Sequence, residues 1–263
     1  MRYFTWWSVV CLFCVFLAGL VVPLLYPRDP RTPYPGSKLE PPSAKYWFGT
    51  DVYGMDVFSR TFYAIRVDLI LAIIAVLFAI CIGLPLGALS GIIGGIFDEV
   101  IMRICDILQA FPPVFLAMTF LITLGNNLSN LLIVMALLNI PVYAKMVRSV
   151  AMSLKTAEFV QAAYAAGHSR LTAAMKHVVP NVLTPVFAQF PLSCAYAVQM
   201  IAGFGFLGLG IKPPEPEWGS MINQNATYII SGCWWPTIFP GIMIILFSFL
   251  LNDIANKLHK LTT

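Results

Sequence analysis

The sequence predicts an all-α integral membrane protein with six transmembrane helices and a further helical segment between the fourth and fifth. Three observations predict it. Of 263 residues, 59% are hydrophobic and 11% charged, where a soluble domain carries about 25% charged residues. The few charges leave five stretches free of Asp, Glu, Lys, Arg and His, at 3–27, 69–97, 107–144, 178–211 and 218–252. Each exceeds the roughly 20 apolar residues that cross a hydrocarbon core. The third is long enough for two crossings, and Gly125-Asn126-Asn127 interrupts it as a tight connection would. The expected spans are 5–26, 68–93, 103–124, 128–148, 183–209 and 234–254.

The first span follows Met1-Arg2-Tyr3. Its apolar run is longer than the 7–15 residues of a secretory signal core, so a retained helix is expected. Trp6 and Trp7 suit one membrane interface and Tyr26 the other. Cys11 and Cys14 form a C-x-x-C inside this apolar helix, with no second pair nearby. They read as small packing residues, and no disulfide or zinc framework emerges from the six cysteines.

Residues 28–67 follow as an extracytoplasmic segment. Six prolines at 27, 30, 33, 35, 41 and 42 make its first part extended and semi-rigid. An amphipathic stretch from Tyr46 to Arg66 leads into span two, and the core of five helices occupies 68–256. Span two carries Gly83, Gly87, Gly91 and Gly95 at a spacing of four. Small residues on one face let helix backbones approach closely in lipid. In span three, Arg103 and Asp106 are three apart and are expected to pair on one face.

The loop at 150–180 is rich in alanine, with Gly167 interrupting it and Pro180 ending it. It reads as two short helices joined at Gly167. Ala162, Ala163 and Ala166 form a smooth face against which another protein could pack; an idle interfacial helix is the alternative. Span five carries Gln189, Ser193, Tyr196 and Met200 on one face. Polar groups are costly in lipid, so this face is expected to line a translocation path, with Asn139 and Thr123 as contributors. Hydrogen bonding between helices is the competing reading. Gly203, Gly205, Gly208 and Gly210 precede Pro213 and Pro214 and should break span five at its outer end, with Trp218 anchoring the next segment at the interface.

Lys and Arg set orientation, because they tend to stay cytoplasmic. The loop after span four holds Lys145, Arg148, Lys155, Arg170 and Lys176 against Glu158 alone, which puts it and both termini in the cytoplasm. The outer segment disagrees, since it contains Arg28, Arg31, Lys38, Lys45, Arg60 and Arg66. His168, His177 and His259 read as separate loop residues, and no metal site is expected.

Several blocks carry a family resemblance. Gln161-Ala162-Ala163, then Gly167, then His177-Val178-Val179-Pro180 resembles the EAA signature of ABC importer permeases, with Gln161 where the signature has Glu. Phe48-Gly49-Thr50-Asp51, Asp56 through Arg60, Ala110-Phe111-Pro112, Phe206 through Gly210 and Glu217-Trp218-Gly219 resemble the C-type permeases of peptide and nickel importers. Residues 217–223 and Glu158-Phe159-Val160 lean toward nickel-type members. The resemblance implies that 150–180 holds a cytoplasmic coupling helix, in which Glu158, Gln161, Ala162, Ala163, Ala166 and Gly167 meet an ATPase. It also implies an outer gate or docking region at Gly208, Gly210 and Trp218.

The implied partners are two P-loop ATPase subunits, a second homologous permease, an extracytoplasmic solute-binding protein and membrane lipid, with no nucleic acid. ATP and Mg would sit on the ATPases, since this chain has no G-x-x-x-x-G-K-[ST] and is expected to bind no cofactor. The implied location is the bacterial inner membrane. A stand-alone secondary transporter or channel is the alternative. A membrane enzyme is disfavoured, for no nucleophile–base pair, metal-ligand cluster or G-x-S-x-G is present in the sequence.

Overall fold

The computed structural model describes residues 6–262, and among them no named strand occurs. Five helices are long and apolar enough to cross a membrane, or six with one bent pair counted as a single span. The helix α1 spans Trp7–Leu25 and packs on α2, Val57–Ile93, and on α10, Trp235–Thr262. Trp7 stacks obliquely near Phe249 on α10.

Span two starts earlier than its hydropathy implies. Asp56 caps α2 by accepting the Ser59 amide at 2.8 Å, which fixes the helix start at Val57 rather than near 68. A 37-residue helix is about 55 Å long, far more than the hydrocarbon core needs. The amphipathic lead-in is therefore the N-terminal end of α2 itself, held by an aromatic cluster of Trp47, Phe48, Phe58, Phe62 and Phe239.

Span three is not one straight helix over 103–124. α3, Gly95–Ala110, and α4, Pro113–Leu124, meet at 92°. Pro112 forces Phe111 into an extended conformation (φ −85°, ψ 137°) and withholds an amide, which ends α3. Arg103 and Asp106 do not supply the expected pair. Asp106 reaches across to Lys145 at 2.7 Å on α5, Leu128–Leu154. Lys145 lies closer because α3 lies alongside α5.

The most extensive helix pairing is α2 on α5. Three of the four span-two glycines make it. A Cβ at Gly83 would meet Tyr143 Cβ at 2.9 Å, one at Gly87 would meet Val147 Cβ at 2.9 Å, and one at Gly91 would meet Ala151 Cβ at 2.6 Å. Gly95 is not part of the seam. It opens α3 beyond Gly94, at φ +61°, with open space around it.

The segment after α5 forms α6, Glu158–Ala165. It closes as expected at Gly167, which has φ +85°. The His168 amide donates to Ala163 O and the Gly167 amide to Tyr164 O, satisfying the last carbonyls of the helix. The second expected short helix is not separate. α7, Arg170–Ala173, runs through a π-helical turn, Ala174–Val178, into α8, Val179–Phe206. Pro180 does not end it, for it sits in the first turn of α8, where an amide is least missed. His168 and His177, read as separate, are brought together with ring centroids 5.5 Å apart. α8 ends at Phe206. Gly208 (φ +76°) turns the chain, and the Leu209 amide donates to Phe204 O.

Candidate functional site: a surface helix and an outer cap

On α6, Val160 and Ala163 face inward and join the core, while Glu158, Phe159, Gln161, Ala162, Ala165 and Ala166 are exposed. The outward face thus keeps Ala162 and Ala166 but not Ala163. Glu158 lies in the first turn, where an acid is favoured by the helix dipole. Gln161 Nε2 donates to Lys155 O at 2.8 Å, folding the α5–α6 connection onto the start of α6. A glutamate could not donate there. α5, which leads into α6, is clamped to α3 by Arg148, whose guanidinium meets both oxygens of Asp98 at 2.5 and 2.6 Å. Such forked pairs fix orientation as well as charge.

The span-five stripe lies along the edge of the outward face of α8. Tyr196 is exposed, Gln189 and Met200 are half-buried, and Ser193 is buried. Asn139 is also buried, and its Nδ2 donates to Met135 O one turn back in its own helix. The centre of the exposed stripe runs through Leu192, Tyr196, Gln199 and Gly203. Gln199 was missed by the sequence reading. Its spacing of three from Tyr196 was the available signal.

The end of the bundle formed by the 28–56 segment and the chain after α8 is a polar-cored cap that hydropathy did not reveal. Arg60 is fully buried at 3.4 Å from Asp51. Its Nη1 also donates to Pro30 O at 2.8 Å and Pro214 O at 3.0 Å. Asp51 Oδ1 accepts the Tyr53 and Met55 amides, yet burial outweighs these partners and pushes its carboxyl above the ordinary value. Arg31 pairs with Glu215 at 2.8 Å, Arg28 lies 3.8 Å from Asp56, and Arg66 donates to the α1 carbonyls of Gly19 and Leu20. Four of the cations that opposed the expected orientation are thus neutralised or hydrogen-bonded in or beside the cap.

α9, Trp218–Asn225, closes the cap from above. Trp218 is not an interfacial anchor. It is wholly buried, with Nε1 donating to Thr61 O at 3.0 Å and its ring against Phe247. It exposes nothing to a docking partner, whereas Ile230 beyond α9 is 94% exposed. α9 and α8 touch backbone to backbone. A Cβ at Gly219 would meet Ala202 Cα at 2.7 Å, and one at Gly205 would meet the Glu217 carboxyl carbon at 2.7 Å. Gly210 packs on Gly205 in the same place. Asn225 Oδ1 accepts the Val52 amide, and Trp235 Nε1 donates to Thr50 O, so α9 and α10 are both tied to the 46–56 loop.

Five long apolar helices and a bent pair, a short surface helix linking two of them and a polar-cored cap at one end define a polytopic membrane protein. The chain belongs to the family of binding-protein-dependent transport system inner membrane components, whose family model matches residues 83–261. It is similar to a dipeptide transport system permease protein of Alkalihalophilus pseudofirmus, 38% identical over 92% of this chain and 80% of the relative. A probable D,D-dipeptide transport system permease protein of Escherichia coli is 36% identical over 91% and 80%. A glutathione transport system permease protein of Pectobacterium atrosepticum is 33% identical over 89% and 78%. The chain is therefore an ABC importer permease of the C-type group, a transport subunit rather than an enzyme, and a multi-pass inner-membrane protein.

Proposed function

We propose that this chain forms half of the membrane passage of an importer for short peptides, and that α6 is the handle through which separate ATPase subunits move it. The observation that carries the coupling role is the exposed Ala162/Ala166 face of a helix that is clamped at its start by Gln161 and closed by Gly167. An alanine-rich outward face offers a flat surface to a partner cleft, and the buried Val160 and Ala163 connect it rigidly to the core. A second permease of like fold would complete the passage, and an extracytoplasmic binding protein would deliver solute at the Ile230 side. ATP binding would then shift the equilibrium between inward and outward openings through its differential affinity for the two states.

The peptide assignment rests on the reported relatives, whose names refer to dipeptides, D,D-dipeptides and glutathione. These favour peptides over the nickel complexes toward which residues 217–223 lean. The test is ATP-dependent uptake by the complete transporter in proteoliposomes, with labelled dipeptides and a nickel chelate offered separately. Peptide uptake that needs ATP and the binding protein is the expected result. Uptake of the nickel complex alone would overturn the peptide assignment. Solute flux without any ATPase subunit would overturn the importer mechanism.

A further inference from the structure

Two carboxyls converge on the first turn of α9. Glu217 Oε1 accepts the Gly219 amide at 2.5 Å and Oε2 accepts the Ser220 amide at 2.7 Å. Asp68, one-third of the way along α2, accepts the preceding amide, Trp218, at 3.2 Å through Oδ2. The three amides are consecutive, so the two acids are neighbours, and both are 1% exposed. Asp68 Oδ1 is buried with no hydrogen-bond partner among the described residues.

No cation answers them. Among the described residues neither acid takes part in an ion pair. On α2, Arg60 turns to Asp51 and the Pro30 and Pro214 carbonyls, and Arg66 turns to α1. α8 and α10 present Ala202, Gly205 and Phe247, which do not titrate. On the loop before α9, Glu215 is held by Arg31 and Lys212 is exposed. Two adjacent buried carboxylates without a cation cannot both ionise at ordinary cost. A metal ion would not relieve this, because Glu217 commits both oxygens to amides and leaves one free oxygen, where calcium takes about 6–8.

We propose that Asp68 and Glu217 hold one proton between them at neutral pH, and that this proton latches α9 to α2 at the outer end of the bundle. Glu217, with two short amide donors, is the better-solvated anion. The proton rests on Asp68 Oδ1, the oxygen without a partner. Burial also pushes the Glu217 carboxyl up, to about 7. Losing the shared proton leaves two like charges on one helix end, and α9 separates from α2. The outer surface therefore opens more readily as pH rises. This device does not depend on the solute or on the role of α6.

The test uses the intact transporter reconstituted in lipid. Infrared spectroscopy should show the carbonyl stretch of a protonated carboxylic acid at pH 7 that is lost in Asp68→Asn and retained in Asp98→Asn, a control outside the pair. Hydrogen exchange of the α9 amides, corrected for its intrinsic pH dependence, should report the latch in the unmodified protein. Protection should fall about tenfold per pH unit above the midpoint at which that band disappears. In Asp68→Asn, which keeps an acceptor for the Trp218 amide, protection should be high and flat with pH. Absence of a protonated carboxyl in the unmodified protein, persistence of the same band in Asp68→Asn, or α9 protection indifferent to the band's titration would each overturn the proposal.

Discussion

Replacing Gly87 with Ala should weaken the α2–α5 seam, whereas the same change at Gly203 should strengthen its helix. In lipid the seam cannot draw on the hydrophobic effect and depends on close packing. A Cβ at Gly87 would lie 2.9 Å from Val147 Cβ, 3.0 Å from the Arg148 amide nitrogen and closer still to Ala144 O. Ordinary carbon contacts begin near 3.5 Å, so two long helices must part by a large fraction of an ångström. Overpacking of this kind costs about 1–3 kcal/mol, and the helix preference of Ala over Gly returns up to about 1 kcal/mol. With the full return the net loss is up to about 2 kcal/mol, or up to roughly 8 °C for a chain of this size. At Gly203, also inside a helix, a Cβ would meet nothing within 4 Å. Only the preference remains, a gain of up to about 1 kcal/mol. Thermal unfolding of the purified chain in detergent reads both. Equal shifts of the same sign would rule out a packing seam at Gly87, since composition would then matter and location would not.

Other perturbations probe the cap and the surface helix. Arg60→Met removes the charge facing buried Asp51, and leaving such a charge unpaired costs about 3–5 kcal/mol; limited proteolysis should cut the 28–56 segment much faster, and an unchanged digestion pattern would count against a stabilising pair. Gln161→Glu deletes the donor to Lys155 O, so ATP-driven uptake should fall, while Gln161→Lys, which retains a donor, should keep more activity. The buried Asp68–Glu217 pair gives a pH dependence with a definite sign. Burial pushes the Glu217 carboxyl up to about 7 from the ordinary 4.5, so the folded pair keeps a proton that the unfolded chain releases. Stability is thus highest below about pH 4.5 as far as this pair is concerned and falls as pH rises toward 7. Unfolding temperatures of Glu217→Gln and the unmodified chain across this range should diverge as pH rises; parallel curves would contradict it.

Much of the membrane architecture was legible because lipid imposes a length and excludes charge. Charge-free stretches located the five long apolar helices and the bent pair. The Gly125 connection and the Gly167 helix end followed from backbone preferences that a single residue type satisfies. The failures are equally physical. Hydropathy could not see that α2 begins at Val57, because its start is set by the Asp56 cap and not by the apolar run. It could not see the 92° break either, although Phe111-Pro112 was the signal for it. Arg103 was paired with Asp106 by spacing within one helix, but Lys145 on a neighbouring helix won that contact. The buried Arg60–Asp51 and Asp68–Glu217 groups were invisible because charges near the ends of spans read as solvent-exposed until the cap is folded over them. Of the α6 face, helical periodicity separates Ala163 from Ala162 and Ala166 by about 100° and about 60°. The sequence reading grouped all three by composition.

The claim that matters most is that α6 meets a cytoplasmic ATPase. A single cysteine at Ala162, in the intact transporter in membranes, tests it with a short thiol cross-linker. The expected result is a covalent product with the ATPase subunit whose yield changes between the nucleotide-free and ATP-bound states. Labelling of that cysteine by an impermeant reagent from the outer side, or by lipid-confined reagents alone with no product to the ATPase, would contradict it.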